Sequence, residues 1–209
     1  MEIPSEIDLD ASPCYINEIT NGSFLNYTCS SCGKKHKPEF PIKIVWPSKE
    51  VWFDVFAELD RGEFYRQKRE APDKGPLKKE TIIGYPELAE RLLVYRDNLE
   101  PAVIEAIKYF LHLKAEEDYP DKQVNIWYSG LNWDGSAKEA AAGVPLIESL
   151  EFHIHGIKEN EVAVMKVPFS LYKKNLEDFK KHPKAKIFAA LRVLSYLSVK
   201  NMMRPGGLK

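Results

Sequence analysis

Three cysteines in 209 residues are too few for a disulfide framework, and a chain of this length can bury a core without covalent staples. No apolar run reaches eighteen residues, so no spanning helix is expected. The opening ten residues, MEIPSEIDLD, lack both a basic n-region and an apolar h-region. Secretion is therefore not expected, and a reduced, cytoplasmic setting follows. The net charge is only −1, which argues against a chain that coats nucleic acid along its whole length. There is no glycine-rich phosphate loop, no nucleophile elbow and no internal repeat. Nothing in the sequence supports an enzyme, and nothing excludes one.

What is present is the composition of a globular chain, 44% hydrophobic and 29% charged. Its charge is unevenly spread. No Lys or Arg precedes Lys34, whereas five acids do. From Lys166 onward eleven basic residues face two acids, Glu177 and Asp178. This tail reads either as solvated helix faces or as a basic docking surface for an acidic partner or a phosphate backbone.

Apolar periodicity organises the rest. Ser12-Pro13 opens a short helix that Asn21-Gly22 closes. Residues 23–28 read as a strand running into Cys29-Ser30-Ser31-Cys32-Gly33, with residues 40–46 as the return strand. Residues 51–59 alternate as a further strand. Residues 60–80, rich in charge and holding two prolines, read as a mobile loop. Helices are expected from Tyr85-Pro86 and from Glu100-Pro101, a β run at 124–129, and a hairpin of residues 150–155 and 161–167. Pro168 opens a short helix, and Pro183 opens a last, largely buried one. Residues 136–143 are an Ala-rich insertion without a pattern.

The strongest local signal is the pair Cys29 and Cys32 followed by Gly33, the knuckle that turns two thiolates toward one zinc ion. A structural site takes four ligands, and there is no second pair. Cys14 and His36 are the remaining candidates; His36 lies among Lys34, Lys35 and Lys37. A redox dithiol would sit at a helix start, whereas this pair follows a strand. Glu151, His153 and His155 share one face of a strand and could bind a metal, or simply form the wet face of an edge-side strand whose core face is Leu150, Phe152 and Ile154. His112 and His182 are expected at the surface. Tyr119, Trp127, Tyr128 and Trp133 are expected to be core.

In three segments the chain resembles the CpXC family of bacterial and archaeal proteins. They are residues 13–33, PCYINEITNGSFLNYTCSSCG; residues 84–113, GYPELAERLLVYRDNLEPAVIEAIKYFLHL; and the strand end Val167-Pro168-Phe169-Ser170-Leu171-Tyr172. Their order along the chain carries the likeness more than any single motif. The resemblance implies two Cys-Pro-x-Cys motifs forming one zinc site. The first would lie upstream of residue 1, and Ser30 stands where the second has proline. Cys14, on the short helix, does not restore it.

The expected fold is α+β, a degenerate zinc-ribbon-like β-hairpin packed on an antiparallel sheet covered by helices, in one compact unit. Its parts are residues 1–59 with the hairpin and following strand, the loop 60–80, and an α+β core at 81–209 with basic C-terminal helices. Zinc, if held by Cys29, Cys32 and His36, is expected to be weakly bound or lost. The expected function is a non-enzymatic cytoplasmic adaptor whose basic C-terminal surface binds a protein partner, not nucleic acid and not a membrane. The alternative is a metal-dependent hydrolase using Glu151, His153 and His155.

Overall fold

A computed structural model describes residues 4–67, 75–133 and 146–204. In chain order its elements are β1 (Glu6–Asp8), α1 (Cys14–Thr20), β2 (Tyr27–Thr28), β3 (Lys35–His36), β4 (Ile42–Trp46) and β5 (Val51–Phe56). Then come α2 (Arg61–Gln67), β6 (Lys78–Ile83), α3 (Tyr85–Arg96), α4 (Pro101–Asp118), β7 (Asn125–Trp133), β8 (Ile147–His155) and β9 (Val162–Pro168). The chain finishes with α5 (Phe169–Lys181), α6 (Lys186–Ala190), β10 (Arg192–Val193), β11 (Tyr196–Leu197) and α7 (Lys200–Met203). The fold is α+β. It divides into two compact units, Met1–Leu92 with Val193–Leu197, and Leu93–Arg192 with Ser198–Lys209. The division falls inside α3.

The first unit is built on a six-stranded sheet in the order β1-β4-β5-β6-β11-β10. It is mixed: β4 and β5 form an antiparallel hairpin, while β1–β4, β5–β6 and β6–β11 are parallel pairs. Ile42, Ile44 and Trp46 alternate inward on β4, and Phe53 and Val55 continue that layer on β5. The six residues of β6 read KKETII, yet Lys79 through Ile83 are all buried. Its charges are tolerated because they are paired. Glu80 meets Arg91 of α3 at 3.0 Å and Lys78 at 2.7 Å; Lys79 lies 3.7 Å from Asp54 and over the Trp52 ring.

Residues 60–80 are thus not one loop. Residues 61–67 are helical and 78–80 are sheet, while 68–74 lie outside the described residues. Arg61 explains the helix: its guanidinium binds Glu58, Glu87, the Ile83 carbonyl and the Tyr196 hydroxyl, holding α2 against the sheet. Residues 23–28 also differ from expectation. Leu25 takes a left-handed φ of 54°, so only Tyr27–Thr28 extend, while Phe24 and Leu25 fold inward. Their partner is β3, Lys35–His36, and residues 42–46 join the large sheet instead.

The second unit is an antiparallel sheet β7-β8-β9 with α4 and α5 on one face. Val103, Ile104 and Ile107 of α4 and Tyr172 of α5 pack on Ile126, Tyr128, Leu150, Phe152 and Ile154. Glu100 caps α4 through the Ala102 N–H at 3.3 Å, with Pro101 at the first position. The Tyr172 hydroxyl accepts from the Glu100 N–H at 2.9 Å. The last expected helix is broken. Leu194 takes φ 56°, and Tyr196 and Leu197 form a strand, because their burial is satisfied at the edge of β6 in the first unit's sheet. The Ala-rich stretch 136–143 lies outside the described residues.

Candidate functional site

The β2–β3 hairpin carries the cysteine knuckle. Two residues on each side pair, Tyr27 with His36 and Thr28 with Lys35. The Cys29 N–H donates to the Lys34 carbonyl at 2.8 Å, and the Gly33 N–H donates to the Cys29 carbonyl at 2.9 Å. Gly33 makes that return at φ 69°, where a side chain would be strained. The tight turn aims the Cys32 and Ser31 amides at the Cys29 sulfur. Those N–H groups, that of Cys32 first, lower its pKa and favour the thiolate.

His36 does not turn toward this sulfur pair. Its ring stacks on Tyr27, centroids 5.0 Å apart and planes 15° apart. Cys14 stands exposed on α1. Among the described residues no three His, Cys, Asp or Glu side chains converge as a metal site would require. The residues in place supply the two thiols of a zinc knuckle and fall short of a four-ligand set.

Glu151, His153 and His155 lie on β8, which is the central strand of its sheet and not an edge. They alternate with the buried Leu150, Phe152 and Ile154. Glu151 pairs with Lys166 of β9 at 3.6 Å, and His153 and His155 face Val164 and Val162 across the ladder. The aromatic group near residue 128 splits. Tyr128 is buried and donates to Asp97 at 2.7 Å, whereas Tyr119 and Trp133 are exposed. Trp127 is flanked by the ammonium groups of Lys108 and Lys200, 5.4 and 5.6 Å from its ring centre. His112, expected at the surface, is buried, because α4 turns this residue inward.

A cavity of about 350 Å³ lies at the foot of the knuckle hairpin, within the first unit. Nothing in the periodicity pointed to it. Its walls come from the end of α1 and the turn after it, from residues 37–39 and from the first turn of α3. Asn26 and Lys37 are the next positions out from the Tyr27–His36 pair, so the hairpin brings them together. The Asn26 amide donates to the Gly22 carbonyl at 2.6 Å, which fixes its orientation. Its Oδ1 is shut from solvent with no partner among the described residues, a cost of about 1–3 kcal/mol for a buried acceptor. Phe24 and Tyr85 supply an aromatic floor, centroids 5.5 Å apart. Glu39 is spent on backbone, accepting from the Tyr85 N–H at 2.8 Å and the Glu58 N–H at 2.7 Å. The Asn21-Gly22 turn and the Tyr85-Pro86 helix start both line the cavity, but nothing in their local pattern signals that they meet.

Among the described residues no helix is long and apolar enough to cross a membrane. A family model described as "CpXC protein" matches residues 1–108, just over half of the chain. A protein of Treponema pallidum (strain Nichols), described as an "Uncharacterized protein", is 29% identical over 214 aligned residues, spanning 97% of this chain and 92% of that one. No solved structure matches.

Proposed function

The chain belongs to the CpXC family, and from that premise we propose that it is a non-enzymatic cytoplasmic binding protein whose basic C-terminal surface holds an acidic protein partner. The observation that supports this reading is the unpaired charge of the second unit. Lys174, Lys180, Lys181, Lys184, Lys186 and Arg192 are all exposed. None has a carboxylate within ion-pair reach among the described residues, although Glu177 and Asp178 lie on the same helix as three of them. Exposed i,i+3 and i,i+4 pairs are worth only about 0.2–0.5 kcal/mol each, so these cations remain available to a partner's acids at little cost. A surface of open positive charge would also speed encounter with such a partner.

The cytoplasmic setting suits three cysteines left as thiols. Nucleic acid suits the surface less well, because the lysines sit on separate elements, α5 and α6 among them, and do not form one stripe. The hydrolase reading gains no support: Glu151 is engaged by Lys166, and its strand mates face valines.

The test is a six-site glutamine variant of these cations compared with the native chain. Recovery of an acidic protein from the native cell should be lost in the variant and should fall steeply with salt. Equal recovery by both chains, or micromolar binding to duplex or single-stranded DNA at physiological salt, would overturn the proposal.

A further inference from the structure

The cavity beside the knuckle leads to a second inference, independent of the basic surface. We propose that it binds an apolar α-amino acid unit carrying a free α-carboxylate, either a free amino acid or the last residue of a peptide. Three features of the walls match three groups of such a ligand.

The first is a cation without a partner. Lys37 is exposed and has no ion pair among the described residues; its ammonium lies 4.0 Å from where a Cβ on Gly22 would stand. Gly22 at φ 73° leaves that space open. A carboxylate entering there meets the ammonium without displacing a competing acid, since both Glu39 oxygens already accept backbone N–H groups.

The second feature is the orphan acceptor. Asn26 donates to Gly22, so its Oδ1 belongs to the same small neighbourhood as Lys37. An α-nitrogen donor sits two bonds from the carboxylate carbon, and this short span matches an acceptor and a cation gathered around one glycine. Oδ1 is shut from solvent, so the donor reaches it only if the wall opens on binding. The third feature is the floor. Phe24, Tyr85, Pro38 and Pro86 form an apolar bed, and about 350 Å³ accommodates a branched or aromatic side chain. The Tyr85 hydroxyl is occupied with the Phe40 backbone, so the ring presents its face.

Isothermal titration of the full chain tests this with four probes: L-leucine, N-acetyl-L-leucine, the peptide Ala-Ala-Leu, and the same peptide with an amidated C-terminus. At least one free-carboxylate probe should bind below millimolar, and amidation should weaken the peptide about tenfold, the value of one charge-assisted contact. Tight L-leucine with weak peptide assigns the free amino acid; tight peptide and N-acetyl-leucine assign a chain end. Lys37→Gln changes an exposed side chain and should lose about tenfold with an unchanged thermal midpoint. Ala89→Trp, which fills the cavity from α3, should abolish binding. Failure of every probe to bind, equal affinity for acid and amide, or an unaffected Lys37→Gln would overturn the proposal.

Discussion

Glu80 and Arg91 form an ion pair at 3.0 Å with side chains only 1% and 5% exposed. The pair ties the sheet strand β6 to α3, and a second Arg91 nitrogen donates to the Leu197 carbonyl at 2.8 Å, reaching β11. Removing one member leaves the other as a buried charge, whereas replacing both with apolar groups removes the desolvation cost as well. Arg91→Met should therefore destabilise the chain by about 3–5 kcal/mol, toward the lower end because Lys78 still meets Glu80. The double variant with Glu80→Met should recover most of that loss. Urea denaturation of the three chains checks it; a double variant no better than the single one would show that the pair is worth more than its isostere.

His112 gives a pH dependence with a defined sign. Burial, helped by the Lys108 ammonium, lowers its pKa from 6.5 to about 4, against the weaker opposing pull of Glu105. Its Nδ1 has no hydrogen-bond partner among the described residues. The folded state therefore keeps the ring neutral while the unfolded chain takes up a proton. The stability involved is complete above pH 6.5 and is lost as pH falls from 6.5 to about 4, after which it changes no further. The gap sets an upper limit of about 3 kcal/mol. His112→Leu should flatten this part of the stability profile; parallel profiles for the two chains would count against a buried neutral histidine.

The elements that were legible in the sequence are those whose pattern is local. The α3 and α4 starts at Tyr85-Pro86 and Glu100-Pro101, the β8–β9 hairpin and the alternating β5 all follow from periodicity and capping. The misreadings share one cause, a tertiary partner far away in sequence. Residues 78–80, KKE, look like loop until Asp54 and Arg91 neutralise them, and residues 196–197 look helical until β6 offers them an edge. Arg61 acts likewise, since its ligands are spread from Glu58 to Tyr196. At the site, Cys29 and Cys32 were legible from their spacing. The stacking of His36 on Tyr27 and the cavity between two turns were not, because neither follows from spacing along one strand.

Gly156 starts the β8–β9 connection at φ 94°, and a Cβ there would collide with the Gln123 backbone carbonyl. Both penalties act on backbone, so no side-chain rearrangement relieves them. Gly156→Ala should cost more than the roughly 1 kcal/mol of an ordinary left-handed alanine, and several kcal/mol if the Gln123 segment holds its place. Thermal melts measure this. A midpoint within two degrees of the native chain would mean that residues 123–124 yield easily.

The knuckle supplies the last prediction. In isolated zinc fingers the metal contributes roughly 10–16 kcal/mol and the apo peptide is unfolded. Here the hairpin offers two thiols, with His36 stacked on Tyr27, and it belongs to a unit with its own buried layer of Ile42, Ile44, Phe53 and Val55. Apolar burial at about 25 cal/mol per Å² can replace the missing metal bonds for a unit of this size. The fold should therefore survive a strong chelator with its midpoint nearly unchanged, and Cys32→Ser should be as stable as the native chain. Free thiols should also show a reactivity difference. With the Cys32 and Ser31 amides favouring its thiolate, Cys29 should react with iodoacetamide at neutral pH ahead of Cys14. A chelator-induced fall of tens of degrees, or a Cys29 protected from alkylation until chelator is added, would mean that zinc is held after all and that two ligands beyond Cys29 and Cys32 complete the site.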